Sequence, residues 1–177
     1  MRLCFFALSL LFLVSACRSD PKQARTSGNF RFLDDTVVTY NRGIMKTEDQ
    51  EIADYLERRG WEMNTTSTGL RYVIYYKGNG TFMSPGKKIS LHYEVTLLDG
   101  RKLYSSEQTG PKEFIQGKAE VEPGLNELVL LLRGGDKAKA ILPAHLAYGL
   151  LGDQNLIPPG ATLVYDVEVI GVSPVKK

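Results

Sequence analysis

The segment Ala161-Thr162-Leu163-Val164-Tyr165-Asp166-Val167-Glu168-Val169 constrains this chain more than any other. Ala161, Leu163, Tyr165, Val167 and Val169 fall on one face, while Thr162, Asp166 and Glu168 fall on the other. A period of two carried by β-branched and aromatic residues predicts a half-buried strand. Ile157-Pro158-Pro159-Gly160 precedes it, and prolines that cannot donate ladder hydrogen bonds mark a stiff loop leading in. Between Tyr148 and that loop, Gly149–Leu156 carries leucines with no periodic place to hide. A loop anchored at both ends is where binding sites tend to lie.

The strand needs partners, and the preceding residues supply them. Ile89, Leu91, Tyr93, Val95 and Leu97 alternate with Ser90, His92, Glu94 and Thr96, a second one-faced strand. Asp99-Gly100 then predicts a hairpin turn, with a return strand from Lys102-Leu103-Tyr104. Leu70–Tyr76 and Lys137–Leu142 read as further strands, and Ser84–Lys87 as a turn. Gly124–Leu132 is apolar enough to be one helix packed on the sheet. The expected fold class is therefore α+β, an antiparallel sheet of about five strands curled over one short helix, with an N-terminal helical extension. There is no internal repeat and no low-complexity region.

The extension is predicted from Lys46–Glu51, where Thr47 has the position of an N-cap and Gln50 the capping-box spacing. Ile52, Tyr55 and Leu56 form its apolar stripe, Arg58-Arg59 close it, and Gly60 is the expected C′ residue. Trp61 is expected to pack this helix against the body of the protein.

The chain opens on Met1-Arg2, an apolar run from Leu3 to Val14, and Val14-Ser15-Ala16-Cys17. The run is short of the roughly 20 apolar residues of a membrane span and has the layout of a secretory signal. Val14–Cys17 resembles a bacterial lipobox, with Cys17 lipidated and exposed as the mature N-terminus. The expected organisation is 1–16 signal peptide, 17–46 lipidated cysteine and flexible tether, 47–69 helical extension and 70–177 functional domain. Cys4 leaves with the signal, so no disulfide is expected. With a formal charge of +2 over 177 residues and no basic tract, nucleic acid is not an expected partner.

Catalytic constellations are not evident. His92 is expected to face solvent and His145 to lie in a turn, neither near a nucleophile or a metal ligand; Ser105-Ser106 lacks a general base. No metal and no cofactor are expected.

The order Ala147-Tyr148-Gly149, short loop, Ile157-Pro158-Pro159-Gly160-Ala161-Thr162-Leu163-Val164-Tyr165-Asp166-Val167-Glu168 resembles the C-terminal signature of the FKBP-type peptidyl-prolyl isomerases. The likeness extends through Pro123-Gly124-Leu125, Phe114–Lys118, Asp99-Gly100-Arg101, Ser105-Ser106 and His92-Tyr93, spanning Leu70–Val172. It implies a pocket formed by Tyr93, Leu103, Tyr104, Phe114, Val121, Glu122, Leu125, Tyr148, Leu156, Ile157 and Tyr165. Within it, Tyr148 would donate to the peptide carbonyl, Leu156 and Ile157 form an apolar lip, and Glu122 contribute its backbone N–H. The sequence departs from the family at four of these positions. Leu103 stands where phenylalanine is frequent, Leu125 where tryptophan is, Glu122 where an aliphatic side chain is usual, and Tyr104 where many active members carry aspartate.

Such a pocket needs no nucleophile. The barrier to X-Pro rotation, roughly 18–20 kcal/mol, arises from amide resonance, and twisting the bond leaves a less polar species that a dry, ring-lined pocket favours. Substrates are expected to carry apolar residues before proline, since the pocket is expected to offer no charge. The combination of lipobox, helix and domain resembles lipoprotein isomerases of the Bacteroidetes envelope, some associated with gliding motility. The implied protein is an enzyme of the bacterial envelope, lipid-anchored through Cys17 and expected on the outer membrane facing the periplasm. Its partners would be X-Pro segments of exported proteins and, as inhibitors, macrolides. The alternatives are a non-catalytic proline-segment module of an envelope or gliding/secretion complex, and a holdase chaperone.

Overall fold

The computed structural model describes residues 27–174. The expected signal peptide 1–16, Cys17 and residues 18–26 of the expected tether lie outside the described residues. The chain divides into two compact units, Met1–Tyr40 and Asn41–Lys177. In the first, the described residues are helical, with Val37, Val38 and Tyr40 exposed. The second carries the sheet.

Helix α1 spans Ser27–Arg59 and so begins well before Thr47, taking in residues 27–46 of the stretch expected as tether. The capping residues are used differently: the Thr47 hydroxyl donates back to the Gly43 carbonyl at 3.0 Å, and Gln50 donates to Asp54 at 2.8 Å. Both are bonds of a helix interior, and no proline interrupts the run upstream of Thr47. The C-terminal end matches expectation. Gly60 has φ 63°, its N–H donates to the Glu57 carbonyl, and the Trp61 N–H reaches back to that of Leu56 at 3.0 Å. That is the paired bonding of a Schellman stop, for which glycine's left-handed φ is required.

The sheet has seven strands rather than about five. They are β1 (Asn64–Thr65), β2 (Arg71–Tyr76), β3 (Lys88–Leu97), β4 (Lys102–Ser105), β5 (Lys112–Ile115), β6 (Lys137–Leu142) and β7 (Leu163–Ser173). Their order is β1-β2-β6-β7-β3-β4, with β5 also paired to β3, and every pairing is antiparallel. The two additional strands, β1 and β5, are too short to show a period in sequence. The four-residue helix α2 (Ser106–Thr109) links β4 to β5, and α3 (Pro123–Leu130) lies under the sheet.

The predicted inner faces form the core. Ile89, Leu91 and Val95 of β3 and Leu163, Tyr165, Val167 and Val169 of β7 are buried with Leu125, Leu128 and Val129 of α3. At one end the opposite face is covered too. Ile52 and Tyr55 of α1 enclose Ile141 and Val164, flanked by Leu56 and Trp61, and the Trp61 ring meets Tyr55 edge-on at 5.7 Å. This explains why Thr162 and Val164 are buried although they lie opposite the inner face. Glu48 secures the same contact, its Oε1 accepting from the Ala144 N–H at 2.7 Å and the Thr162 hydroxyl at 2.5 Å.

Candidate active site

The central strands β3 and β7 pair Val95 with Tyr165 and Tyr93 with Val167. Alternation thus delivers Tyr93, Val95 and Tyr165 to the concave side, where a cleft of about 180 Å³ opens. Tyr104 reaches it from β4, Lys112 from β5, Glu122 from the residue preceding α3, and Tyr148 and Asp153 from the β6–β7 connection.

Of the residues expected there, Tyr93, Tyr104, Glu122, Tyr148 and Tyr165 line this cleft. Others do not. Phe114 pairs with Ile89 and is buried in the core, and Leu103 and Leu125 are core residues as well. Phe114 is not among the residues that line the cleft. Its strand neighbour Lys112, two residues along on the same face, takes the place beside the Tyr93 ring at 5.3 Å. Val121 packs half-buried against the core, Ile157 is buried, and Leu156 is exposed.

The polar chemistry differs most from expectation. Glu122, 5% exposed, turns its side chain into the cleft. Its Oε1 accepts from the Tyr148 hydroxyl at 2.5 Å and the Tyr165 hydroxyl at 2.8 Å, with Lys112 Nζ at 3.5 Å. Oε2 is buried without a hydrogen-bond partner. Burial first, and then the Glu122 carboxylate, push the Tyr148 hydroxyl well above the ordinary tyrosine range. Burial does the same to Tyr165, reinforced by the Glu122 charge. Both phenols thus stay protonated and act as donors.

A second carboxylate stands at the cleft mouth. The Tyr104 hydroxyl donates to Asp153 and accepts from the Asn155 side chain at 3.2 Å. The other Asp153 oxygen accepts the N–H groups of Asn155 at 2.9 Å and Ile157 at 2.7 Å. Burial works to raise the Asp153 carboxyl, but the hydrogen bonds from Tyr104 and the two N–H groups outweigh it and hold it below its ordinary value. The expectation of a pocket without charge is therefore corrected: two carboxylates and one ammonium line it.

Val95 was legible from the alternation that marks Tyr93. Lys112 was legible only through β5, a strand of four residues. Asp153 shows in sequence at most as the head of an Asx turn, and nothing local aims it at Tyr104.

His92 and His145 are both exposed, His92 3.3 Å from the Ser106 hydroxyl and His145 2.9 Å from the Thr68 carbonyl. They lie outside the lining of the cleft.

The fold and site define an antiparallel sheet curled over one helix, with a tyrosine-walled cleft on its concave side. The family model for the FKBP-type peptidyl-prolyl cis-trans isomerases matches residues 79–170. The chain is 41% identical over 106 residues to peptidyl-prolyl cis-trans isomerase Fkbp12 of Drosophila melanogaster, spanning 59% of this chain and 98% of that protein. It is 37% identical over 117 residues to FKBP-type peptidyl-prolyl cis-trans isomerase FkpA of Escherichia coli, spanning 65% of this chain and 42% of that one. The crystal structure of AtFKBP13 superposes with a TM-score of 0.62 at 30% identity, covering 64% of this chain and all of that one. The crystal structure of FkpA from Escherichia coli does so with 0.63 at 29% identity, covering 89% and 76%. The chain belongs to the FKBP-type peptidyl-prolyl cis-trans isomerases.

Proposed function

We propose that this isomerase works in a bacterial envelope, held to a membrane through Cys17, and speeds X-Pro rotation in exported proteins. The observation that carries the catalytic part is the meeting of Tyr93, Val95 and Tyr165 with the Tyr148 hydroxyl in one cleft. The rings and Val95 exclude water from the prolyl side of the bond. Tyr148, whose single hydroxyl proton is donated to Glu122 Oε1, would turn that proton to the carbonyl on the other side when substrate binds. As the bond twists, nitrogen and oxygen lose their resonance charge separation, and the dry wall favours that less polar form. Lowering the barrier by about 4–8 kcal/mol corresponds to roughly 10³- to 10⁶-fold. Macrolides would occupy the same cleft; among the relatives is FK506-binding protein 1 of Debaryomyces hansenii, 40% identical over 102 residues.

Anchoring is supported by the sequence: the apolar run Leu3–Val14 followed by Ser15-Ala16-Cys17. Acyl chains add about 0.8 kcal/mol per buried CH₂. The outer membrane, with the domain in the periplasm, is the site we infer.

Two experiments test this. In a proline-limited refolding assay, acceleration by the wild type and its loss in Tyr148→Phe combined with Tyr165→Ala support the reading. A folded wild type that accelerates nothing replaces it with the proline-segment module. For the anchor, labelled palmitate and membrane fractionation should follow the wild type and not Cys17→Ser; equal solubility of the two refutes anchoring.

A further inference from the structure

The carbonyl that Tyr148 would receive belongs to the residue before proline, so that residue's Cα is one bond from the carbonyl carbon. Its side chain therefore leaves the backbone close to whatever the Tyr148 hydroxyl touches, and that is Glu122, 2.5 Å away. Glu122 has a side chain that is 2% exposed, with two hydroxyl donors and the Lys112 ammonium at 3.5 Å on Oε1 and no donor on Oε2. A buried acceptor without a donor costs about 1–3 kcal/mol, and more when charged. An incoming donor removes that cost. Asp153, at the cleft mouth, adds a second negative charge, so the lining of two carboxylates against Lys112 is net anionic.

We propose that Glu122 is a specificity-determining residue and that this site prefers prolyl bonds preceded by a cationic residue, lysine or arginine. The inference rests on the isomerase reading of the cleft. A lysine or arginine before proline places donors beside Glu122, and its charge is opposed by one ammonium and favoured by two carboxylates. A leucine there leaves the buried Oε2 still without a donor, which is the costlier arrangement. A glutamate brings like charges together and is rejected.

The test is a set of otherwise identical peptides with Lys-Pro, Arg-Pro, Leu-Pro and Glu-Pro, assayed for kcat/KM. The wild type should take Lys-Pro and Arg-Pro over Leu-Pro by roughly tenfold, and Glu-Pro worst. Glu122→Leu should reverse the Lys/Leu ratio, and Glu122→Gln, which keeps the shape, should bring it close to one. Glu113→Gln removes the same charge from an exposed position paired with Lys88 and should leave the ratio at its wild-type value. A wild type that prefers Leu-Pro, or a ratio equal in wild type and Glu122→Gln, overturns the proposal. If the wild type accelerates no peptide, the isomerase reading fails separately, and fluorescence anisotropy with the same peptides reads the preference as binding. Equal affinities, or no binding, then overturn it.

Discussion

The hydroxyls of Tyr148 and Tyr165 converge on a single oxygen, Glu122 Oε1, at 2.5 and 2.8 Å. One comes from the β6–β7 connection and the other from the middle of β7, so the carboxylate ties a loop to the central sheet. It also adds to the upward push that burial gives both phenols.

Burial and the adjacent charge raise both phenols, so their donor role should persist into alkali. Against an ordinary value of 10.0, unfolded tyrosine gives up its proton first. The folded state then binds more protons than the unfolded one, and stability falls as pH rises above about 10. Tyr148→Phe should flatten that fall. Denaturant midpoints between pH 8 and 11 check this; an identical slope in the variant contradicts the assignment.

Asp153 has the opposite sign. Its folded value lies below the ordinary 3.8, so its contribution is full above that pH and disappears as pH falls through the lower folded value. Asp153→Asn should weaken the loss of stability on acidification below about pH 4. The same variant should raise KM, because Tyr104 then loses its charged acceptor and is no longer held in place. Thermal melts from pH 2 to 6 with peptide kinetics at neutral pH measure both.

Glu48 joins α1 to two separate points of the body, the Ala144 N–H and the Thr162 hydroxyl. Glu48→Ala removes the shared acceptor and should cost about 1–3 kcal/mol. It lies outside the cleft lining, so kcat/KM on short peptides should stay at the wild-type value. Chemical denaturation and a peptide assay separate the two effects.

Gly152 precedes Asp153 with φ 65°, and a Cβ there would lie 2.2 Å from the Ile157 carbonyl oxygen. Gly152→Ala should strain the loop by about 1–3 kcal/mol and displace Asp153 from Tyr104. The expected signature is a lowered melting temperature together with a higher KM. An unchanged KM in a destabilised protein would show that Asp153 does not need this loop geometry.

Local pattern determined a good deal of this protein. Alternation placed Tyr93, Val95 and Tyr165 on one face of two strands before any pairing was known, because side-chain direction in a strand depends only on parity. Gly60 and Arg58-Arg59 marked the end of α1, since a helix stop is a matter of a few consecutive residues. Where α1 begins was not legible: Thr47 has the chemistry of a cap, yet its hydroxyl is satisfied by the Gly43 carbonyl within a helix that continues upstream. Tertiary structure alone decided the polar half of the cleft. Glu122 and Tyr148 are 26 positions apart, and Tyr104 and Asp153 are 49 apart. No local period records such distances; only closing the sheet over α3 and folding the β6–β7 connection back across it brings these carboxylates and hydroxyls together.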